Sequence, residues 1–233
     1  MRNDASEMIR LFDSAGDYDL RGSEEEDCFV TIHKQACHIL KWIDPIPNRR
    51  ILELACGNGA VARSIRNIRP DLKYSCMDIC PTLTEQAKAL NPDINVYTGN
   101  CVNAIPGLKY DYVFSWGLVQ YLSVDDFINM NRLILRQLNV IGEIWHFSTP
   151  DESKRFDHTM SVRKGLWSKA KGFLKYLIQS TNRKYSEASI WHSPDELKVD
   201  NGDDINIQTI QPGDVDYRFH IRITRKGELG VGR

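Results

Sequence analysis

The sequence has almost no net charge, no long apolar run and no paired-cysteine motif, and each absence removes a class of function. Its 30 Lys and Arg face 31 Asp and Glu across 233 residues, a formal charge of −1. A chain so balanced lacks the positive field of a general nucleic-acid or membrane-surface binder, so a nucleic-acid partner is not expected and any charged partner is met locally. No segment is long and apolar enough to span a bilayer, and the opening stretch MRNDASEMIRLFDSAGDYD lacks the hydrophobic centre of a signal peptide. Cytoplasmic localisation is therefore expected. The six cysteines (Cys28, Cys37, Cys56, Cys76, Cys80 and Cys101) form no CxxC pair and mostly interrupt apolar runs. Buried, reduced thiols are expected in place of bridges. His33, Cys37 and His38 share a predicted helix but lack further ligands, so no metal is expected. Internal repeats are also absent.

What is present reads as one ordinary globular core with appendages, 42% hydrophobic and 26% charged. In residues 1–48, a helical cap segment, Phe29, Ile32, Ala36, Leu40 and Ile43 recur at helical spacing from Glu24 until Pro45 and Pro47 stop the helix. From Arg50 short β-rich runs alternate with helical windows. Strands are predicted at Ile51–Ala55, Tyr74–Met77, Asn95–Thr98, Tyr112–Trp116 and Glu143–Ser148, and helices near Ala60–Ile68, Thr82–Leu90 and Val124–Leu138, with Ser123 and Asp126 as a capping box. Strands separated by helices imply a parallel sheet covered on both faces, the α/β doubly wound arrangement. Near the C-terminus Ser193, Pro194 and Glu196 predict a short capped helix. Runs Ile205–Ile210 and Tyr217–Thr224, joined by a turn, can pair only antiparallel. The expected fold is thus a mostly parallel seven-stranded sheet with a reversed last strand. Its core is residues 49–150, and residues 192–233 supply the closing helix and strand pair.

The most informative stretch is RRILELACGNGAVARSI. Glycines directly after a strand let the backbone turn tightly and approach a ligand, while the next helix points its N–H groups into the same space. Alone, GNGAVA fits only the loose dinucleotide pattern. Glu53, inside the strand, would repel an anionic pyrophosphate and suits a cationic ligand. Asp78 ends the second strand about twenty residues later, where an acid can accept from both ribose hydroxyls. A ligand with a ribose, a positive charge and no phosphate is implied. A nicotinamide oxidoreductase is disfavoured by Glu53 and by the closing strand pair.

ELACGNG with Asp78 downstream resembles the class I S-adenosylmethionine-dependent methyltransferases, small-molecule type. The similarity continues through TGNC, KYDYVFSWGLVQYLS and IGEIWHFSTP, and a reversed terminal strand also marks that family. The resemblance implies S-adenosyl-L-methionine as cofactor, with Ala55, Gly57 and Gly59 lining it and Glu53 beside its amino-acid end. It further implies Asp78 on the ribose, Ile79 on adenine, Asn100 and Cys101 at the adenine edge, and backbone around Ser115 near the sulfonium. Family members usually carry Asp where this chain has Asn100; an amide oxygen can still accept from the adenine amino group.

The acceptor side is less constrained. A sulfonium methyl is already activated, so the protein must chiefly align the acceptor and exclude water; only a hydroxyl acceptor needs a base. His146, at the end of a parallel strand, is the first candidate base, with a satisfied core histidine as the alternative; His192 is the second. Tyr18 and Tyr121 could orient the acceptor, with Trp116 and Gln120 nearby. Gln120 stands where many small-molecule relatives have a histidine. In the insertion 151–191 an apolar stripe from Leu166 to Ile178 is flanked by Lys164, Lys169, Lys171, Lys175, Arg183 and Lys184. By resemblance it is a helical lid after strand 5, with Lys171 toward an anionic small-molecule acceptor. A structural helix, an anionic-lipid or RNA surface, and a non-catalytic cofactor-binding subunit remain alternatives. A monomer or homodimer is expected.

Overall fold

The computed structural model describes Ile9 and residues 25–155, 190–198, 205–212 and 217–226. Helix α1 (Glu25–Ile43) precedes β1 (Arg50–Leu54), α2 (Ala60–Ile68), β2 (Lys73–Asp78), α3 (Pro81–Leu90) and β3 (Asn95–Thr98). Then follow β4 (Tyr110–Trp116), a 3-10 turn (Val119–Tyr121), α4 (Val124–Gln137), β5 (Leu138–Pro150), β6 (Ile205–Ile210) and β7 (Arg218–Arg225). The seven strands lie in the order β3-β2-β1-β4-β5-β7-β6. All neighbours from β3 to β5 are parallel, and β7 runs antiparallel to both β5 and β6. The reversed strand therefore sits between β5 and β6, and β6 forms the edge.

Each face of the sheet is covered. On one face Ala36, Ile39 and Ile43 of α1 and Ala62 and Ile65 of α2 pack against Ile51, Tyr112, Phe114, Trp145 and Phe147. On the other, Phe127, Met130, Ile134 and Leu135 of α4 pack against Leu52, Leu54, Val113, Ile144, Ile221 and Ile223. The alternation along β1 and β4 thus feeds two cores, and the central strands read as continuous apolar runs. The order of the strands reverses direction at β1 and β4, where an open α/β sheet places its ligand crevice at the carboxyl ends.

Several boundaries differ from the sequence expectation for identifiable reasons. Strand β5 begins at Leu138, five residues before the predicted start, and absorbs a bulge. The pairs Tyr110–Leu138 and Tyr112–Glu143 bracket two steps on β4 against five on β5. Asp111 pins this irregular stretch, accepting from the Arg50 amide at 2.8 Å and from Asn139 Nδ2 at 2.9 Å. Gly142 is required there, since a Cβ would lie 2.6 Å from Leu138 Cγ. Pro194 to Leu197 forms a turn in place of the predicted short helix. Half of the expected cap survives: the Glu196 carboxylate accepts from the Ser193 amide at 3.2 Å, while Ser193 Oγ accepts from the Asp195 amide at 3.3 Å. The capping box at Ser123 is half formed, with Ser123 Oγ accepting from the Asp126 amide at 3.1 Å while its hydroxyl donates to the Asp126 carboxylate.

Candidate cofactor and acceptor site

The glycine loop is held by side chains from two other elements. Gly57 and Gly59 both have positive φ, 55° and 78°, the left-handed region that favours glycine. Asp78, at the end of β2, accepts from the Gly57 amide at 2.8 Å through Oδ2 and from the Cys80 amide at 2.9 Å through Oδ1. One carboxylate thereby ties the loop after β1 to the start of α3. Burial raises the Asp78 pKa above the usual carboxylate range despite those amides. From the end of α3, the Asn91 side-chain amide donates to the Gly59 carbonyl at 3.0 Å and to the Ala87 carbonyl at 3.1 Å. Nothing in the sequence pattern singles out Asn91; its role exists only because α3 ends against the loop.

The loop has an inner and an outer side. A Cβ on Gly59 would lie 2.7 Å from Asn91 Nδ2 and 2.9 Å from Ala87 Cβ, so Gly59 faces protein. A Cβ on Gly57 would meet nothing within 4 Å, so Gly57 faces open space. Ala55, with φ 56°, is exposed beside it. The residues fit a ribose-bearing cofactor: a backbone open to close approach, next to an acid whose two oxygens retain lone pairs beyond their amide bonds.

Glu53, expected beside the cofactor's amino-acid end, lies within β1 just before the loop. It is buried, and Oε2 accepts from Tyr74 Oη at 2.8 Å within the core under α1 and α2. Burial and the neighbouring carboxylate raise the Tyr74 pKa, keeping the phenol protonated and donating. Glu53 therefore lies beneath the loop, tied to β2 through Tyr74. A hydrogen bond with Cys76, then burial, pushes the Cys56 thiol up, and burial pushes Cys101 up to about 12. Both are protonated fillers, and the described cysteines are free thiols. Ile79 and Asn100 are half-buried near the same edge. The Asn100 oxygen accepts from the Val102 amide at 3.0 Å, so that side chain first shapes its own loop.

The two histidines proposed as bases are both committed to the interior. His146 is fully buried against Phe127. Asn131 donates through Nδ2 to the Phe127 carbonyl, which turns its Oδ1 toward His146 Nε2 at 2.9 Å. Nε2 then carries the proton, and Nδ1 accepts from Ser115 Oγ at 2.8 Å. Burial lowers the His146 pKa to about 3, so the ring is neutral and locked between β4 and α4. Fully buried and with both nitrogens engaged, the ring has the geometry of a satisfied core histidine, the alternative to a base. His192 is likewise buried, with Nε2 3.1 Å from the Val119 carbonyl and Nδ1 2.8 Å from Glu196. It fastens residues 190–198 to the β4 loop, as does the Ile190 amide on the Gln120 carbonyl at 2.6 Å. Trp116, half-buried at the end of β4, stacks on Phe147 at 5.9 Å. Gln120 and Tyr121 are half-buried in the adjoining 3-10 turn. Tyr18, Lys171 and most of the segment expected to be a lid lie outside the described residues.

At the opposite, N-terminal edge of the sheet, Arg50, Arg66, Lys73, Asn95 and Tyr110 help line a pocket of about 400 Å³. It is remote from the loop chemistry. Among the described residues no helix is long and apolar enough to cross a membrane, and no group of three or more His, Cys, Asp or Glu could hold a metal.

Comparison with known proteins agrees with this geometry. Residues 51–142 match the family model described as a methyltransferase domain. Malonyl-[acyl-carrier protein] O-methyltransferase 1 from Ilyobacter polytropus is 32% identical over 134 residues, covering 55% of this chain and 49% of that protein. The chain thus spans about half the length of the curated relative it matches. Magnesium protoporphyrin IX methyltransferase (ChlM) from Synechocystis PCC 6803 with bound SAH superimposes with a TM-score of 0.63 at 13% identity, covering 96% of this chain and 100% of that one. The DhpI-SAH complex gives 0.62 at 13% identity, covering 96% and 97%. Residues 51–142 are thus similar to a methyltransferase domain, and the strand order and the glycine loop with its tethering acid resemble the class I S-adenosylmethionine-dependent methyltransferases.

Proposed function

We propose that this chain transfers a methyl group from S-adenosyl-L-methionine to an oxygen or nitrogen of a small, anionic acceptor such as a sugar, glycan precursor or other metabolite. The observation that carries the reading is the junction of Gly57 and Asp78: a backbone facing open space at the carboxyl ends of β1 and β2, fixed by a buried acid at 2.8 Å. When bound, the cofactor supplies a methyl already activated on a sulfonium. Asp78 would accept from the ribose, Ile79 would pack on adenine, and Asn100 and Cys101 would border its edge. Ala55, Gly57 and Gly59 would provide the wall, with Glu53 beneath, and the backbone at Ser115 would lie near the sulfonium. Trp116, Gln120 and Tyr121 would bound the acceptor and help exclude water.

The fate of His146 and His192 narrows the chemistry. Neither can take a proton from an acceptor while its nitrogens hold their present partners. An acceptor that arrives as an anion, or as a neutral amine, needs no base before attack, whereas a hydroxyl does. The geometry therefore favours an acceptor nucleophile that is already ionised or already carries a free lone pair. The free thiols suit a reducing, cytoplasmic setting. A non-catalytic cofactor-binding subunit is the second reading, favoured by the commitment of His146 and His192 to interior partners among the described residues. Calorimetric titration with S-adenosylmethionine, followed by a mass-shift screen of metabolite extracts, tests both. Binding with a one-methyl gain on an extract component supports the enzyme, binding without any gain supports the subunit, and no binding rejects both.

A further inference from the structure

Arg66 and Arg225 donate to the Leu72 and Leu135 carbonyls, and three half-buried arginines face carboxylates: Arg49 meets Asp111, Arg69 meets Asp71 and Arg222 meets Glu143. Arg218 does not. It begins β7 opposite Pro150, at the end of the sheet where β5 finishes and the ligand crevice opens. Its Nη1 donates to the Ser148 carbonyl at 2.6 Å and to Ser148 Oγ at 3.2 Å, and its guanidinium carbon lies 5.4 Å from the Tyr217 ring centroid. Among the described residues no carboxylate pairs with it, and Nε and Nη2 hold no protein acceptor. A guanidinium presents five donors in a planar fork, and here one edge is used to fix the group while the other is unspent.

The mount is rigid. Ser148 has φ 64°, and its amide donates to His220 Nδ1 at 3.2 Å. Because Nδ1 accepts, the His220 proton resides on Nε2, which donates to His38 Nε2 at 2.9 Å. Helix α1 thus holds β7, β7 holds Ser148, and Ser148 holds the arginine. On the same face of the sheet Trp116, Phe147 and His220 form a row of rings, with Trp116 5.9 Å from Phe147 and 6.4 Å from His220. Side chains alternate along a strand, so Arg218 stands on the same face as His220, two residues nearer the crevice.

Building on the acceptor reading above, we propose that the free edge of Arg218 is the anion subsite for the acceptor. It takes the two oxygens of a carboxylate or phosphate bidentately while the acceptor's body lies toward Trp116. A charge-assisted pair of this kind sets the acceptor's register against the cofactor and selects anions over neutral isosteres.

The test uses the full chain loaded with S-adenosylhomocysteine and three probes of similar shape: benzoate, phenyl phosphate and benzamide, titrated by ligand-observed NMR. At least one anion is expected to bind about tenfold or more tighter than benzamide. Arg218→Gln should abolish that preference and Arg218→Lys should reduce it, with affinity for S-adenosylhomocysteine unchanged in both. Which anion binds better tells carboxylate from phosphate. The proposal is overturned if benzamide binds as well as both anions, if the preference survives in Arg218→Gln, or if neither anion binds. Should Arg218→Gln not fold, Arg218→Lys, which keeps the charge and loses the fork, must still discriminate less than wild type. Failure of S-adenosylhomocysteine to bind would defeat the methyltransferase reading instead, and the anion preference of the unloaded chain would still decide the role of Arg218.

Discussion

Gly57 and Gly59 share a backbone conformation but differ in their surroundings, and that difference separates cofactor binding from stability. Gly59→Ala adds a methyl against Asn91 and Ala87 at a positive φ, so it should lower stability by about 2 kcal/mol or more, read by denaturant unfolding. Gly57→Ala carries only the backbone cost, about 1–2 kcal/mol, but projects into the crevice. It should weaken S-adenosylhomocysteine binding about tenfold for a smaller stability loss; equal affinity with wild type would remove Gly57 from the cofactor wall. His146 gives a second residue-scale outcome. Its folded pKa, about 3, lies below the ordinary value of 6.5, so between those limits the unfolded chain binds the extra proton. Stability then falls as pH drops from 6.5, by up to about 1.4 kcal/mol per unit from this group. In His146→Gln the proton uptake on unfolding near pH 5 should drop by about one; an unchanged uptake would show that the ring already titrates in the folded state. The spacing of Gly57, Gly59 and Asp78 was legible because chain-local geometry sets it. The confinement of His146 was not, because it depends on Asn131 arriving from α4, a partner that no local pattern names.

At the scale of elements, periodicity and caps located the central pieces well: β3, α2 and β6 have the predicted limits, and α4 starts after the predicted Ser123 cap. Ser123 satisfies an amide at the positive end of α4 and should be worth about 1 kcal/mol. Ser123→Ala is therefore expected to lower stability by about that amount while leaving affinity for S-adenosylmethionine at the wild-type value, a split readable by unfolding and calorimetry on one preparation. Local reasoning missed two things in the β5 region. The bulge before Gly142 obeys the bonds of Asp111 to β1 and β5, which alternation along β5 alone cannot reveal. The motif at Ser193 kept half of its cap chemistry but made only a turn, since His192 is already spent on Val119 and Glu196. Glu53 was found from its position in β1, yet its partner Tyr74 was hidden by the crossover from β1 to β2.

For the whole molecule, the sheet is a scaffold whose carboxyl edge gathers the loop after β1, the acid after β2 and the rim after β4 and β5. The reversed β7 brings Arg218 to that rim from the far end of the chain, which is why no reading of the central motifs could place it. Anything bound to the folded crevice must also stabilise the fold. At a hundredfold excess over the dissociation constant, S-adenosylhomocysteine should add about 2.7 kcal/mol to the unfolding free energy. The account stands most directly on one calorimetric comparison, S-adenosylhomocysteine titrated into wild type and into Asp78→Asn, with a nicotinamide dinucleotide as control. It predicts one-to-one binding to wild type, at least about tenfold weaker in Asp78→Asn because a carboxylate–amide bond is lost at the loop, and no heat from the dinucleotide. Dinucleotide binding without any response to S-adenosylhomocysteine would contradict it.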